Sequence, residues 1–454
     1  MLLALHAQRT TVEPRHRDAN YYAVLIDGAL FFTAMTFAAA ATVIPAFARE
    51  LGAPALIIGL APMLANMGWM LPQLFSARHV QQLTHRRPYI LTMMGSQRLC
   101  FLIMALLCWL IPVSKPQLLL ITFLCVYLLS NIFDGIGTVA WLEFVATSIP
   151  ERKRGTLFAA RTLISCFTGL AAGWLTSLTL ERFAFPTNFG FLFFWAFLLF
   201  ATGWTFFARL TWEEPSAQPK EPSLSLADYL RRIPIILTKD IPFREYVMGV
   251  ALLLLGQMGL AFFSVYGLDR MELPASYVGY FTMSMTTGQL LAAMFAGRLA
   301  DARGHKINLQ LSCTAMGLAA LVTLLPSNMI LALLTFVLIG IGNTAHGVSR
   351  LPIVMEYASE GFRAVYAGIV NTLLAPVVLL TPIIGGWLVE TYGYNTVFIA
   401  TLLINAVAVW VFFFRVQIPA HSVRKPLSFQ KHCDQRLLRL LVPTILFGSF
   451  IHNL

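Results

Sequence analysis

The chain of 454 residues is strongly apolar: 58% of its residues are hydrophobic, 12% are charged, and the mean hydropathy is +0.72. This composition excludes an ordinary soluble globular protein, in which about a quarter of the residues are charged. It is typical of a protein that crosses a membrane several times. We interpret the net charge of +11 as a sign of membrane topology and of attraction to anionic lipid headgroups, and we predict no nucleic-acid partner.

Twelve apolar stretches of about 20 residues follow one another, and each is long enough to cross a hydrocarbon layer roughly 30 Å thick. The predicted spans are 22–47, 55–77, 89–111, 118–145, 156–180, 189–211, 245–267, 277–299, 307–325, 330–350, 365–389 and 396–414. We therefore predict an all-α integral membrane protein. Its parts are an N-terminal tail (1–21), a six-helix bundle (22–212), a linker (213–243), a second six-helix bundle (244–418) and a C-terminal tail (419–454).

The distribution of Lys and Arg predicts the orientation. Most of the 32 basic residues fall in the two tails and in the loops on the same side as the tails. The loops of the other side contain only Arg49, Lys115, Arg182 and Arg270. Because cytoplasmic loops are enriched in Lys and Arg, both termini are predicted to be cytoplasmic, in a multi-pass protein of the cell membrane.

Two further stretches are expected to lie along the cytoplasmic interface. Residues 224–233 of the linker are amphipathic and predict a short interfacial helix. Residues 437–452 are apolar but contain Pro443 and are too short for a comfortable span. We interpret this tail as a second interfacial helix, with a marginal or spurious tail as the alternative.

Several motifs are missing from the sequence. The first 20 residues do not form a cleavable signal pattern, so the first span is expected to direct insertion. The six cysteines include no CxxC pair, so we predict neither a disulfide nor a metal site. No GxxxxGK[ST] motif is present, which argues against ATP-driven transport by this chain. We predict no cofactor and no enzymatic activity.

The two halves carry related sequences. Residues 131–135 (Asn-Ile-Phe-Asp-Gly) of the fourth span correspond to 343–347 (Asn-Thr-Ala-His-Gly) of the tenth. Residues 173–175 and 386–388 are both Gly-Trp-Leu. Such parallel repeats of six helices are related by an axis along the membrane normal.

Ionisable residues within the spans are the best site candidates, because a charge at membrane depth is costly unless it meets water or a partner. These residues are Asp27, Arg98, Asp134, Arg161 and His346. One hypothesis is that Asp134, with Asp27 and His346, binds a cationic or hydrogen-bonding substrate or takes up a driving proton. The alternative is structural: Asp134 pairs permanently with an arginine, and Arg98 and Arg161 pair with Asp134 or Glu143 instead of contacting an anionic substrate.

The loop after the eighth span carries the most specific motif. Residues 297–306 read Gly-Arg-Leu-Ala-Asp-Ala-Arg-Gly-His-Lys, which resembles a loop motif of the major facilitator superfamily at a family position. The resemblance extends from 22 to 415 and implies that family's fold of two pseudo-symmetric six-helix bundles. It also implies a conformational latch formed by Gly297, Asp301, Gly304 and Lys306. The alternative is an ordinary positively charged loop with a helix-capping Asp.

In that family helices 1, 4, 7 and 10 line a central cavity. The resemblance therefore implies a substrate- or proton-binding role for Asp27, Asn131, Asp134, Gln257, Asn343 and His346. Pseudo-symmetry would put Asp134 and His346 at similar depth on opposite walls. Phe262, Phe263 and Tyr266 of the seventh span are candidates for an apolar lining, with helix packing as the alternative.

The resemblance implies a secondary active transporter, or permease, that works by alternating access, and it leaves the substrate and the direction of transport open. It also implies a monomer. One hypothesis is proton-coupled efflux of a small organic compound. The fourth span departs from a motif common in the family's antiporters, Arg-x-x-Gln-Gly-x-Gly, because residues 131–137 lack its Arg and Gln. The alternatives are uptake, lipid translocation, or a non-transporting membrane sensor or scaffold with the same fold.

Overall fold

The computed structural model describes residues 14–213, 234, 236–326, 328–357 and 363–417. Fourteen α-helices with defined bounds follow one another in this part of the chain. They are α1 (Pro14–Thr36), α2 (Val43–Glu50), α3 (Ala55–Gln82), α4 (Arg87–Leu110), α5 (Pro116–Ser148), α6 (Glu151–Arg182), α7 (Thr187–Leu210), α8 (Ile241–Leu255), α9 (Phe262–Arg270), α10 (Tyr277–Arg303), α11 (Lys306–Leu324), α12 (Met329–Tyr357), α13 (Arg363–Tyr392) and α14 (Tyr394–Phe414). The predicted interfacial helices at 224–233 and 437–452 lie outside the described residues.

Ten of the predicted spans correspond to one helix each, but the first and the seventh are divided. The first is split into α1 and α2, and the seventh into α8 and α9. At both breaks the backbone forms tight i→i−3 hydrogen bonds, such as Phe37 N–H to Ala34 O (3.0 Å) and Gln257 N–H to Leu254 O (3.1 Å). Pro45 explains the first break, because it lacks the N–H that would bind the carbonyl four residues earlier. Gly256 contributes to the second, because glycine weakens a helix interior.

Nine of the described helices are long and apolar enough to cross a membrane, by length and composition alone. They are α3 to α7 and α11 to α14. The remaining predicted spans are the two divided ones and α10, which contains four polar residues between 284 and 289 (Ser-Met-Thr-Thr-Gly-Gln). The fold is therefore that of a multi-pass membrane protein. Of the segments of the divided helices, α2, α8 and α9 have 8, 15 and 9 residues and are too short to qualify alone, whereas α1 has 23 residues but is not apolar enough.

The helices form two halves, α1 to α7 and α8 to α14, which meet where α3 packs against α13 and α6 packs against α10. Near the end away from the chain termini, α6 and α10 touch: a β-carbon on Gly173 would lie 2.6 Å from Met283 Cγ. Near the other end, a β-carbon on Gly155 of α6 or Gly297 of α10 would have no atom within 4 Å. The two halves therefore pack closely at the end distal to the termini, here called the distal end, and diverge toward the terminal end.

Polar contacts join the halves at the distal end as well. Thr42, in the break between α1 and α2, shares a 2.7 Å hydrogen bond with Thr282 of α10. The Arg49 side chain at the end of α2 forms a 2.5 Å ion pair with Asp269 of α9. The divided helices thus place short segments from both halves over the distal end of the molecule.

Candidate functional site

A cavity of about 360 Å³ lies inside the first half, between α1, α3, α4, α5 and α6. Its lining contains four charged residues, five aromatic residues and small or apolar side chains. The lining residues are Asp27, Gly28, Phe31, Phe32, Trp69, Met94, Arg98, Phe133, Asp134, Gly137, Thr138, Trp141 and Arg161. Four of the five ionisable residues that the sequence places within spans therefore meet at one cavity.

Two of the four charges form a buried ion pair. Arg98 Nη2 of α4 lies 3.2 Å from Asp27 Oδ1 of α1, and both side chains are at most 5% exposed. The guanidinium also donates to Gln97 Oε1 (3.0 Å) and to the Met94 carbonyl (3.2 Å). The packing of α7 allows this arrangement, because a β-carbon on Gly203 would lie 3.1 Å from Asp27 Oδ1. The pairing of Arg98 with Glu143 or Asp134, considered from the sequence, is corrected: its partner is Asp27.

Asp134 on α5 presents a carboxylate without a direct partner. In the described part of the chain it forms no ion pair and its side chain accepts no hydrogen bond. It interacts electrostatically with Arg98 and Asp27 at longer range. Its position follows from the close packing of α5 on α3, where a β-carbon on Gly68 would lie 2.9 Å from Asn131 Cβ. Since a carboxylate at this depth needs compensation, Asp134 is available to a cation or a proton.

Arg161 on α6 is surrounded by aromatic rings. Its guanidinium carbon lies 4.7 Å from the ring centre of Phe32, 4.9 Å from that of Phe158 and 5.6 Å from that of Trp141. Cation–π attraction therefore holds the group in place. Within the described residues the guanidinium has no ion pair, and its buried Nε has no hydrogen-bond acceptor. The permanent Arg161–Asp134 pair considered from the sequence does not form.

The aromatic lining was not predicted from the sequence, although a helical pattern indicates part of it. Trp141 lies seven residues after Asp134 and Thr138 four residues after it, so the three share one face of α5. Of the three aromatic residues proposed from the sequence, Phe262 and Phe263 are buried at 0% and 2% exposure. They pack in the core of the molecule, for example Phe263 against Phe398 at 4.8 Å. Phe263 and Tyr266 line a separate, smaller cavity of about 40 Å³ in the second half.

The polar residues proposed for the second half do not line the charged cavity. Gln257 lies in the break between α8 and α9, beside a smaller cavity of about 70 Å³ between the halves, together with Asn66 and Thr381. Asn343 and His346 of α12 are absent from the lining of either cavity. The expectation that Asp134 and His346 face each other across one cavity therefore stays a prediction.

Asn131 also has a structural environment. Its side-chain amide donates to the Tyr127 carbonyl in the preceding turn of α5 at 2.7 Å, and it packs beside Gly68 of α3. It does not line the charged cavity. This position is the fourth-span Asn that the sequence repeat pairs with Asn343.

The segment proposed as a latch joins α10 to α11. Gly304 ends α10 with φ +82°, a left-handed conformation that favours glycine. Lys306 Nζ donates to the Val416 carbonyl just beyond α14 at 2.8 Å. Asp301 is exposed and forms no ion pair with a described residue. The loop therefore ties α11 to α14 in this conformation, and its role as a latch stays a prediction.

Comparisons with known proteins agree with this architecture. The model of the Major Facilitator Superfamily matches residues 26–380 and 273–453. A search of curated proteins finds no match. The nucleoside transporter NupG has a similar structure, with 15% identity and a TM-score of 0.63, over 87% of this chain and 98% of its own.

Two other solved structures are similar to the same degree. A bacterial homologue of the iron transporter ferroportin, in an inward-facing state, has 14% identity and a TM-score of 0.63 over 87% of this chain and 98% of its own. A POT family transporter in complex with 5-aminolevulinic acid has 13% identity and a TM-score of 0.62 over 89% and 96%. At such identities the likeness shows a shared fold. Because the family model covers most of the sequence and the helices form the matching architecture, the chain belongs to the Major Facilitator Superfamily.

Proposed function

We propose that the protein is a secondary active transporter of a small organic solute, which binds in the charged cavity of the first half. The observation that carries this proposal is the cavity itself: about 360 Å³ of space inside apolar helices, with four ionisable side chains at its wall. Its volume lies within the range of roughly 300–1,000 Å³ that is usual for small-molecule sites. A sensor or scaffold that only kept the fold would have no need for charges at this depth.

The contacts between the halves support alternating access. The distal end is joined by the Thr42–Thr282 hydrogen bond and the Arg49–Asp269 ion pair, whereas α6 and α10 diverge toward the terminal end. Rocking of one half against the other, around a site between the two ends, would open the distal end and close the terminal end. With both termini in the cytoplasm, as the basic residues predict, the conformation described here is open inward.

Coupling to protons is the second part of the proposal. Asp134 is a cavity carboxylate without an ion-pair partner, so it can accept either a proton or a positively charged group of the solute. If Asp134 binds either a proton or the solute but not both, the proton must leave before the solute binds, and the solute must leave before the proton binds. The transport of the solute is then coupled to the transport of the proton. Asp27 is less suited to this role, since Arg98 neutralises it at 3.2 Å.

The structural neighbours support a small polar solute in a general way. The names of two of them refer to a nucleoside and to 5-aminolevulinic acid. A third is a homologue of an iron transporter. In the present chain the cavity combines its two carboxylates with two arginines, which oppose the binding of a bare metal cation. The organic solute is therefore the better match to this cavity.

Transport by purified protein in vesicles tests this function. Proteoliposomes would be incubated with the low-molecular-weight fraction of a cell extract, under a pH gradient of either direction, and the solutes that cross would be identified by mass spectrometry. We expect the wild type to move at least one organic solute, and Asp134→Asn to lose the effect of the pH gradient. The matched control is Glu181→Gln, an exposed carboxylate near the end of α6, which should behave like the wild type. If no solute crosses the membrane in either direction, the proposal fails, and the result supports the alternative of a non-transporting sensor or scaffold.

A further inference from the structure

We infer that the transported solute is amphoteric: it carries a cationic group that meets Asp134 and an anionic group that meets Arg161, joined by a flat apolar body. This inference rests on the proposed function and names the chemical class of the substrate for the same site. Its basis is the juxtaposition, at one cavity, of a carboxylate and a guanidinium that lack ion-pair partners.

Two of the four charged groups have no direct ion-pair partner. Of the four ionisable residues at the cavity, Asp27 and Arg98 neutralise each other through their ion pair. Asp134 and Arg161 remain, one negative and one positive. Neither makes an ion pair with another described residue. An ionised group within an apolar bundle is costly without a counter-charge, so each of them favours a ligand group of the opposite sign.

Asp134 and Arg161 belong to different helices, α5 and α6, and both line the cavity of about 360 Å³. In the described part of the chain they form no ion pair with each other. A ligand that meets both groups therefore has to extend across the cavity.

The environment of Arg161 favours an anion over other ligand groups. Phe32, Phe158 and Trp141 lie within 5.6 Å of the guanidinium carbon, so the remaining direction of approach is the edge where the N–H groups point. The Nε is buried against α1, where a β-carbon on Gly28 would lie 3.3 Å from it, so a ligand in the cavity would meet the Nη groups. A carboxylate fits such a ligand, because it accepts two parallel hydrogen bonds from a guanidinium.

The aromatic walls of the cavity are suited to a flat apolar body. Phe31, Phe133 and Trp69 line the same cavity, and aromatic faces stack on planar groups of a ligand. A purely cationic solute would satisfy Asp134 but leave Arg161 uncompensated, and a purely anionic solute would do the reverse. Only a ligand with both signs meets each group and keeps the cavity neutral.

The test is the charge class of what the protein moves. In the vesicle experiment with cell extract, we expect the solutes that wild-type protein accumulates to carry both a basic and an acidic group. A matched set of indole compounds gives a second readout: tryptophan, tryptamine without the carboxylate, and indole-3-propionate without the amine, each used as a competitor of the transported solute. Tryptophan should compete at least about tenfold better than either relative, as expected for a lost charged hydrogen bond.

Substitutions then separate the two ends of the ligand. Arg161→Gln should remove the preference for tryptophan over tryptamine, and Asp134→Asn the preference for tryptophan over indole-3-propionate. Arg161→Lys keeps the positive charge and should retain part of the first preference, so a loss through misfolding is distinguishable. Arg152→Gln, an exposed arginine on the same helix, and Glu181→Gln are the matched controls, with changes below about twofold.

Each result has a defined meaning. If the accumulated solutes carry one sign of charge or none, the inference is overturned while transport itself stands. If tryptophan competes no better than its singly charged relatives, or if Arg161→Gln leaves the preference unchanged, the assignment of Arg161 to an anionic group is wrong. If the wild type moves nothing at all, the proposed function fails and this inference fails with it.

Discussion

Breaking the buried Asp27–Arg98 pair should destabilise the first half strongly. Both side chains are at most 5% exposed and lie 3.2 Å apart, so Asp27→Asn leaves a buried guanidinium without its counter-charge. Removal of one partner of a buried pair typically costs about 3–5 kcal/mol. Arg98 keeps its hydrogen bonds to Gln97 and Met94, so we expect a loss near the lower limit, about 3 kcal/mol of unfolding free energy.

A double-mutant cycle measures this pair directly. Arg98→Gln alone should cost a similar amount, because it leaves the Asp27 carboxylate buried and unpaired. The double variant should cost about 3 kcal/mol instead of the roughly 6 kcal/mol expected from addition, since the second change removes the stranded charge. The assay is equilibrium unfolding of purified protein in detergent micelles, followed by circular dichroism.

The exposed pair of Lys153 and Asp18 is the control for this cycle. Its atoms are 3.0 Å apart, but the side chains are 56% and 59% exposed. Solvent screens such a pair, so Asp18→Asn should cost well under 1 kcal/mol. Strict additivity of the Asp27 and Arg98 changes would refute the reasoning, because it would mean that the two groups do not stabilise each other in the folded protein.

Three further predictions concern the distal end and the α10–α11 loop. Gly279→Leu should force α6 away from α10 by overpacking worth about 1–3 kcal/mol, and spin-label distances between the distal ends of the two helices should lengthen. Arg49→Gln removes the ion pair with Asp269, so it should shift the equilibrium between the distal-closed and the distal-open conformation toward the open one by about threefold. Asp269→Asn should give the same shift, and the double variant should show no further change. Burial lowers the pKa of His305 in the folded protein, and the nearby Asp301 only partly opposes this effect. The unfolded chain therefore binds a proton to this ring at a higher pH than the folded protein does. The free energy of unfolding should consequently fall as the pH drops below about 6.5. His305→Gln should flatten that pH dependence by a few tenths of a kcal/mol in thermal melting, since the ring is only half-buried.

The sequence predicts the helices well, because an apolar stretch of membrane-spanning length has few alternatives. Ten spans correspond to single helices. The two breaks were missed even though Pro45 and Gly256 mark them locally, since the apolar run continues through both positions. Hydropathy alone therefore does not predict where a helix within the membrane is interrupted. Proline and glycine residues within a span predict such breaks better.

The sequence identifies the charged residues of the candidate site but not how they pair. Asp27 and Arg98 are 71 residues apart, and no local spacing connects them. Glu143 is closer to Arg98 along the chain than Asp27 is. The packing of α1 against α7 at Gly203 nevertheless places Asp27 next to Arg98. Pairing of buried charges depends on which helices touch, which is a property of the tertiary fold.

The internal repeat does not by itself identify the site, and the reason is physical. The first helix of each half is divided, and small residues pack closely in both halves. These features belong to the contact between the halves, to which each half contributes the same elements. A binding site has no such requirement: charges at membrane depth are costly, so placing them in one half avoids a second set that would need its own compensation. In this chain the four charges of the large cavity belong to the first half, while His346 at the equivalent position of the second half is not among the lining residues of that cavity. The ligand chemistry is therefore expected to reside in α1, α4, α5 and α6, and substitutions in α12 should alter transport rate without altering which charge class is accepted.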